Sequence, residues 1–99
     1  MIVPRYVLSA NAAASIAEID RYTTEQFGPR QATRYLAHLR DRLEFNAENP
    51  ELGRVRPDMK SGYYSYFVGS HTIYYLIWSD PIAIINILHQ SMEPSRHIS

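Results

Sequence analysis

Residues 62–79, with the sequence GYYSYFVGSHTIYYLIWS, contain the pattern that decides the fold. Two runs rich in Tyr, Ile and Val, which β-strands prefer, lie on either side of the pair Gly69-Ser70. A Gly-Ser pair between two such runs is typical of a β-hairpin turn. The sequence therefore predicts strands at residues 62–68 and 71–79. The second run is apolar on both of its faces, which indicates a central strand covered from both sides.

Two further strands are predicted from patterns of the same kind. Residues 82–89 form an apolar run that follows the turn pair Asp80-Pro81. Residues 2–8 form a shorter run, and Pro4 within it predicts an edge position because proline has no N–H to donate to a neighbouring strand.

Two helices are predicted between the first strand and the hairpin. Residues 10–27 and 29–48 both carry apolar side chains at steps of three and four, so each has one apolar face. The link at Gly28-Pro29 is so short that the helices must form an antiparallel hairpin. We expect a loop at residues 51–61. The order β-αα-βββ predicts a two-layer α+β fold, with the antiparallel helical hairpin packed on one face of a mostly antiparallel sheet.

The composition is that of a small globular chain. It has 99 residues, of which 45% are apolar, ten are Lys or Arg and ten are Asp or Glu. This length predicts a single domain over residues 1–99. A neutral chain has no overall field that attracts DNA or an anionic membrane, so we expect neither a membrane partner nor direct sequence-specific nucleic-acid binding. The absence of cysteine and of any apolar run near the roughly 20 residues that span a bilayer favours the cytoplasm.

No pattern in the sequence points to a cofactor, a metal or a catalytic centre. The histidines have no helical metal-pair spacing, and His71 and His89 are expected to form hydrogen bonds at strand ends. The loop cations Arg54, Arg56 and Lys60 leave two alternatives open. One is a nuclease site with Tyr63, Tyr64 and His89 nearby, in which a base takes the 2′-OH proton and the cations stabilise the charged phosphorane. The other, which we favour because no base is clearly paired with them, is a docking surface for acidic side chains.

A second set of cations lies on the second predicted helix. Arg30, Arg34, His38 and Arg42 follow one another at steps of four and share a face. Such a face could contact phosphates, but Asp41 interrupts it and exposed basic helix faces are common. Arg34 is the member of this set that we take as a candidate contact to a protein partner.

The strands carry many aromatic side chains. Successive side chains of a strand alternate between the two faces, and a helix pair covers only one face of a sheet. We therefore expect aromatic side chains on the uncovered face, with Tyr64, Tyr66, Tyr75 and Trp78 as candidate contacts. A large exposed apolar patch on a small protein usually marks a partner site. The residues thus favour a binding module over an enzyme.

Six phrases, in their order along the chain, resemble the ParE family of the RelE/ParE superfamily of bacterial toxins. They are YVLSANA at 6–12, EIDRYTTEQFG at 18–28, QATRYLAHL at 31–39, NPELGRVRPDM at 49–59, GSHTIYYLI at 69–77 and IINILHQSMEPSRH at 84–97. Together they span nearly the whole chain, and their joint order is specific.

The resemblance implies the toxin of a type II toxin–antitoxin system, with a role in plasmid or chromosome maintenance. ParE-like toxins are typically encoded beside a ParD-like antitoxin, which wraps its C-terminal segment around the toxin in a hetero-oligomer. The best-described ParE target is DNA gyrase, whereas RelE-like relatives cut mRNA on the ribosome. A toxin-like chain with another target, or without toxicity, also stays open because a fold does not determine function. The match favours an inhibitor that binds protein over a nuclease.

The resemblance also gives the candidate antitoxin contacts a role. Arg34, Arg54 and Arg56 are expected to pair with acidic antitoxin side chains, because charged pairs steer association and set specificity. The four aromatic candidates named above are expected to contact apolar antitoxin side chains.

The C-terminal segment supplies the candidate contacts to the target. These are Met92, Arg96 and His97. Deletion of residues 90–99 is expected to abolish toxicity and to leave a folded domain.

Overall fold

The computed structural model describes residues 5–59, 62–77 and 81–98. Within these ranges the elements follow in the order β1 (Tyr6–Leu8), α1 (Ala10–Phe27), α2 (Pro29–Glu48), a turn of 3-10 helix (Pro50–Leu52), β2 (Arg54–Val55), β3 (Tyr63–Val68), β4 (His71–Leu76), β5 (Ile82–His89) and α3 (Pro94–His97). The two long helices form a hairpin that packs on one face of the sheet. This arrangement confirms the predicted α+β architecture.

The five strands form one sheet in the order β1-β5-β4-β3-β2. The edge strand β1 runs parallel to β5, with Tyr6 opposite Ile82, and every other neighbouring pair is antiparallel. The edge position of β1 agrees with the prediction, and β4 lies at the centre of the sheet.

The strand β2 differs from the sequence prediction, which placed a loop there. Arg54 and Val55 pair with Ser65 and Tyr64 of β3 and add a short fifth strand to the other edge of the sheet. Two residues are too few to show the alternation by which a strand is recognised in a sequence.

The helical hairpin begins and turns at residues that suit these positions. The Ser9 hydroxyl accepts the Ala12 N–H and caps α1. Gly28 joins the helices with φ of 90°, a backbone conformation that favours glycine, and Pro29 opens α2. Neither long helix, nor the short one, is apolar enough over sufficient length to cross a membrane, for the residues described.

The main core lies between the helices and the sheet. Its buried members are Ala12, Ile19, Leu39, Leu43, Val68, Ile73, Tyr75, Ile82, Ile84 and Ile87. Residues 72–76 of β4 are all buried, although their side chains alternate between the two faces of the sheet. This confirms the prediction of a central strand covered on both sides.

The face of the sheet away from the helices is not the open aromatic surface that the sequence suggested. Tyr63 and Tyr74, which lie on this face, are only 6% and 5% exposed. The Arg56 guanidinium covers the Tyr74 ring at 5.5 Å from its centroid. Phe67 is exposed, but the expectation of a broad uncovered aromatic face is wrong for the part of the chain that the structure describes.

Candidate functional site

A groove of about 720 Å³ lies where the helical hairpin meets one end of the sheet. We call it the hairpin–sheet groove. Its lining comes from α1, α2, the β3–β4 turn, β4, β5 and the segment after β5. The lining residues are Ser15, Glu18, Ile19, Tyr22, Thr23, Phe27, Gln31, Tyr35, Ser70, His71, Ile87, His89, Ser91 and Met92.

Large apolar side chains of this groove are exposed to water. Tyr22 is 54% exposed, Phe27 66% and Met92 45%, and buried Ile19 and Ile87 lie between them and the core. Single exposed apolar residues are ordinary on a protein surface, but three that line one concave site form a patch. The groove therefore offers apolar surface that a partner can remove from water.

One wall of the groove is polar and is organised around Tyr35 of α2. The Tyr35 hydroxyl lies 2.7 Å from Nδ1 of His71 and 3.2 Å from the Val68 carbonyl oxygen. The β3–β4 turn approaches so closely that a Cβ added to Gly69 would lie 2.9 Å from that hydroxyl. Glycine is needed there for a second reason, because its φ is +55°. The turn thus holds His71 against the helix.

His89 of β5 extends the polar wall. It lies directly opposite His71 across the β4–β5 pair, with the two rings edge to face and their centroids 5.4 Å apart. Nδ1 of His89 accepts the Ser91 backbone N–H at 3.1 Å and lies 2.8 Å from the Ser91 hydroxyl. Because Nδ1 is an acceptor, the proton of neutral His89 is on Nε2.

The surroundings favour the neutral form of His71. Burial lowers the pKa of its imidazole, and the neighbouring His89 lowers it further. Both effects oppose a positive charge, since burial removes water from the cation and a second imidazolium would repel it. The expectation that both histidines form hydrogen bonds at strand ends is confirmed. In the described ranges, no group of three metal-ligating side chains is present.

The aromatic candidates from the sequence lie elsewhere. Tyr75 is fully buried in the core, and Tyr64 stacks on it with ring centroids 5.7 Å apart. Tyr66 packs against Phe45 of α2, so all three face the helices. The prediction that they occupy an uncovered face is wrong, because the alternation of β3 and β4 turns them inward. Trp78 lies outside the described residues.

The three arginine candidates lie outside the groove lining. Arg34 is exposed on α2 and Arg54 is exposed on β2. The Arg56 side chain is only 18% exposed and forms an ion pair with Asp58 at 2.7 Å. Its hydrogen bonds lower the pKa of the Asp58 carboxyl and raise that of its own guanidinium. Arg56 is thus already engaged within the chain, whereas Arg34 and Arg54 stay predictions as partner contacts.

The C-terminal candidates separate into two environments. Met92 lines the groove, while Arg96 and His97 are exposed on α3. The α3 segment is attached to the sheet, because the Asn86 side-chain amide donates to the His97 carbonyl oxygen at 3.3 Å. Their role in target contact stays a prediction.

Sequence reasoning missed four groove residues. Phe27 was placed on the core face of the first helix, but it is 66% exposed at the end of α1. Tyr22 and Gln31 carried no signal, and Tyr35 was counted as part of an apolar stripe. Whether such a side chain lies in the core or in the groove depends on where the hairpin sits over the sheet, and helical periodicity does not contain that information.

Comparisons with known proteins agree with this architecture. Residues 6–94 match the family described as the ParE toxin of the type II toxin–antitoxin system parDE. The chain belongs to the ParE toxin family. A toxin named ParE1 from Mycobacterium tuberculosis (strain CDC 1551 / Oshkosh) is 35% identical over 95 residues, covering 95% of this chain and 97% of that protein. Toxin ParE1 of Caulobacter vibrioides is 33% identical over 93 residues, covering 94% and 96%.

A solved structure shares the fold of this ParE toxin. A chain of the structure titled "Chromosomal ParDE TA system from P. aeruginosa" aligns with a TM-score of 0.74 and 16% sequence identity, covering 85% of this chain and 92% of that one. The family match makes this chain the toxin component of a type II toxin–antitoxin system.

Proposed function

We propose that this ParE toxin inhibits DNA gyrase and that a ParD-like antitoxin neutralises it by laying a segment of its chain in the hairpin–sheet groove. The observation that carries the antitoxin part is the groove itself, with Tyr22, Phe27 and Met92 exposed in one concave apolar site. The ParDE system of the structural neighbour supports an antitoxin as the partner. Since gyrase acts on cytoplasmic DNA, the proposal places the toxin in the cytoplasm.

The groove suits an amphipathic peptide segment. Helices that bind in grooves place apolar side chains into the cleft and keep polar ones in water. Here the apolar residues lie on the α1 rim and on the segment after β5, while the histidine wall offers polar partners. From the sequence we expected a segment that covers the open face of the sheet and part of the helical hairpin. The groove keeps the hairpin part of that expectation and replaces the far face by one end of the sheet.

Binding of the antitoxin in the groove also accounts for neutralisation of the toxin. Met92 lines the groove and lies two residues before the start of α3, which carries Arg96 and His97. A segment bound in the groove would therefore cover one of the three candidate target contacts and lie beside the other two. Under this proposal, antitoxin and gyrase compete for the C-terminal part of the toxin.

The alternative of an mRNA endonuclease has less support from the groove. Two histidines and a tyrosine are side chains that can transfer protons. Cleavage of a phosphodiester also needs cations to stabilise the charge that develops on phosphorus. Among the lining residues, all within the described ranges, none is Lys or Arg. The groove is therefore better matched to an apolar segment than to a phosphate.

The antitoxin seat is tested by charge substitutions at two exposed phenylalanines. Phe27→Asp places a carboxylate in the groove, whereas Phe67→Asp places one on the far face of the sheet at nearly equal exposure, 66% against 60%. We expect Phe27→Asp to weaken antitoxin binding at least about tenfold, as is common for a central interface aromatic, and Phe67→Asp to bind as the wild type does. The reverse order would place the antitoxin on the far face.

The target is tested with purified toxin, DNA gyrase, supercoiled plasmid and ATP. We expect inhibited supercoiling or trapped cleaved DNA, and we expect both to be reversed by the antitoxin encoded beside the toxin. Arg96→Ala and His97→Ala should weaken the inhibition, and these exposed point changes disturb the fold less than a deletion of residues 90–99 would. A folded toxin that leaves gyrase untouched, yet stops protein synthesis in a translating extract with cleaved mRNA, would contradict the gyrase proposal.

A further inference from the structure

The histidine wall of the hairpin–sheet groove has a hydrogen-bonding pattern that leaves one side of each ring unused. Nδ1 of His71 is engaged by Tyr35, and Nδ1 of His89 by Ser91. Among the described residues, neither Nε2 atom has a hydrogen-bond partner. Both residues line the groove, so whatever occupies the groove lies beside these two rings.

The two imidazoles tolerate protonation differently. If His71 gains a proton on Nδ1, that nitrogen can donate to the Tyr35 hydroxyl oxygen, which can still donate to Val68. If His89 gains a proton on Nδ1, it loses the bond from the Ser91 N–H, because an imidazolium has no acceptor. The edge-to-face pair, with centroids 5.4 Å apart, also disfavours charge on both rings at once.

We propose that His71 and His89 are the polar recognition element of the antitoxin groove: His89 donates its Nε2–H to an acceptor on the bound segment, and binding requires both rings to be neutral. This inference rests on the proposed seat of the antitoxin in the groove. A segment with apolar side chains removes water from the wall, so a buried imidazolium would lose its hydration without gaining a counter-charge. Complex formation therefore expels protons from the pair, and acid releases the antitoxin.

The charged and titratable groups around the two histidines are consistent with release of the antitoxin at low pH. From α1 the groove receives Glu18 and Tyr22, and from α2 it receives Tyr35. Glu18 is the one carboxylate in the lining, and its hydrogen bonds to Arg21 lower its pKa and supply a positive partner. The segment after β5 contributes Ser91 and Met92, which carry no charge. Arg21 also pairs with Glu25, so these three groups together carry one net negative charge. All three side chains are more than half exposed, so water and salt screen that charge and Glu18 is a weak counter-charge for an imidazolium.

The test measures the Kd of full-length toxin and the antitoxin encoded beside it at pH 5.5, 6.5 and 7.5. If binding excludes one proton from the pair, the Kd should weaken severalfold as the pH falls from 7.5 to 5.5, with a limit of about tenfold for each pH unit. A wild-type Kd that is constant over this range would overturn the inference. If the wild type forms no complex at any of these pH values, the proposed antitoxin seat fails instead.

Two substitutions of His89 separate its two nitrogen atoms. His89→Gln can place an amide donor near the position of Nε2 and does not titrate, so it should bind nearly as the wild type does at pH 7.5 and lose most of the pH dependence. His89→Asn can accept the Ser91 N–H but has no donor near Nε2, so at every pH it should bind about fivefold more weakly than His89→Gln, the effect of one lost hydrogen bond. Equal binding by Asn and Gln variants would contradict the donor role.

The matched control is His38→Gln, an exposed histidine on α2 that does not line the groove. It should keep the full pH dependence of the wild type. If His38→Gln abolishes the dependence, or if His89→Gln titrates as the wild type does, the proton link does not arise from the groove pair. Because all variants bind the same antitoxin, titration of the antitoxin itself cannot produce these differences.

Discussion

Two tyrosines attach α2 and the chain after it to the sheet. One of them lies in the core and the other lies beside the proposed binding groove, so they can be compared directly. Tyr75 is completely buried and donates its hydroxyl proton to the Pro50 carbonyl oxygen at 2.7 Å. Tyr35 is half-buried and shares its hydroxyl between Val68 and His71 beside the groove. Both side chains tie a backbone carbonyl to another element, but only Tyr35 borders solvent. The Tyr75 end is closed, whereas the Tyr35 end borders the groove that we propose as the antitoxin site.

The difference follows from what each hydroxyl meets. Around Tyr75 the backbone closes so tightly that a Cβ on Gly53 would overlap the hydroxyl. Around Tyr35 the neighbour is the imidazole of His71, a residue that lines the groove. A buried hydroxyl with one fixed partner stabilises the fold. A hydroxyl that is linked to a titratable ring makes the stability of the fold depend on pH.

The largest effect is expected for Gly53→Ala. The added methyl group overlaps the Tyr75 hydroxyl, which cannot move because the ring is buried in the core. Overpacking of this kind typically costs about 1–3 kcal/mol of unfolding free energy, measured by chemical denaturation. In the Gly53→Ala/Tyr75→Phe double variant the overlap with the hydroxyl is removed and the closer of the remaining contacts, to Cζ of residue 75, is 2.8 Å, so the loss should be smaller than the sum of the two single losses. Simple additivity would contradict the described contact.

Tyr75→Phe should have the next largest effect. It leaves the Pro50 carbonyl oxygen without its donor and should lower the unfolding free energy by about 1–2 kcal/mol at neutral pH. Burial raises the pKa of Tyr75 to about 12, from 10. Since the unfolded chain ionises first, the wild type should lose stability as the pH rises from 10 towards 12, and Tyr75→Phe should lose less. Parallel alkaline titrations of the two proteins would contradict this.

Tyr35→Phe should be milder, with a loss of about 1 kcal/mol or less, because water in the groove can replace part of the lost hydrogen bonds. Thermal unfolding measures this loss, and Tyr75→Phe is the matched comparison. A greater loss at Tyr35 than at Tyr75 would show that the groove end is the more rigid one.

The smallest effect is the acid dependence of stability due to His71. Its pKa is lowered in the folded state by burial and by His89, so the unfolded chain binds more protons just below pH 6.5. The stability of the wild type should therefore fall as the pH drops below this value, while His71→Asn, which keeps an acceptor for Tyr35, should lack that component. Urea unfolding at pH 5 and 7.5 measures the difference. A wild type that gains stability on acidification would reverse the assigned direction.

Most of the helices and strands could be predicted from the sequence, because the patterns that indicate them are local. The hairpin at Gly69-Ser70 and the helix break at Gly28-Pro29 both use residue types that suit their backbone conformations. The candidate site was not accessible in the same way. Tyr64, Tyr66 and Tyr75 share one face of the hairpin, but the sequence does not state which face the helices cover.

The sequence by itself determined the order of the two long helices and of four of the five described strands, the central position of β4 and membership of the ParE family, since these depend on periodicity, turn residues and the order of motifs. Tertiary structure decided that Arg56 covers Tyr74 and is engaged by Asp58, and that His71 and His89 face each other beside an exposed Phe27. His71 begins β4 and His89 ends β5, so the two histidines are far apart along the chain. Phe27 lies at the end of α1, in the helical layer. Their meeting depends on sheet register and on the position of the hairpin over the sheet, which only the packed chain defines.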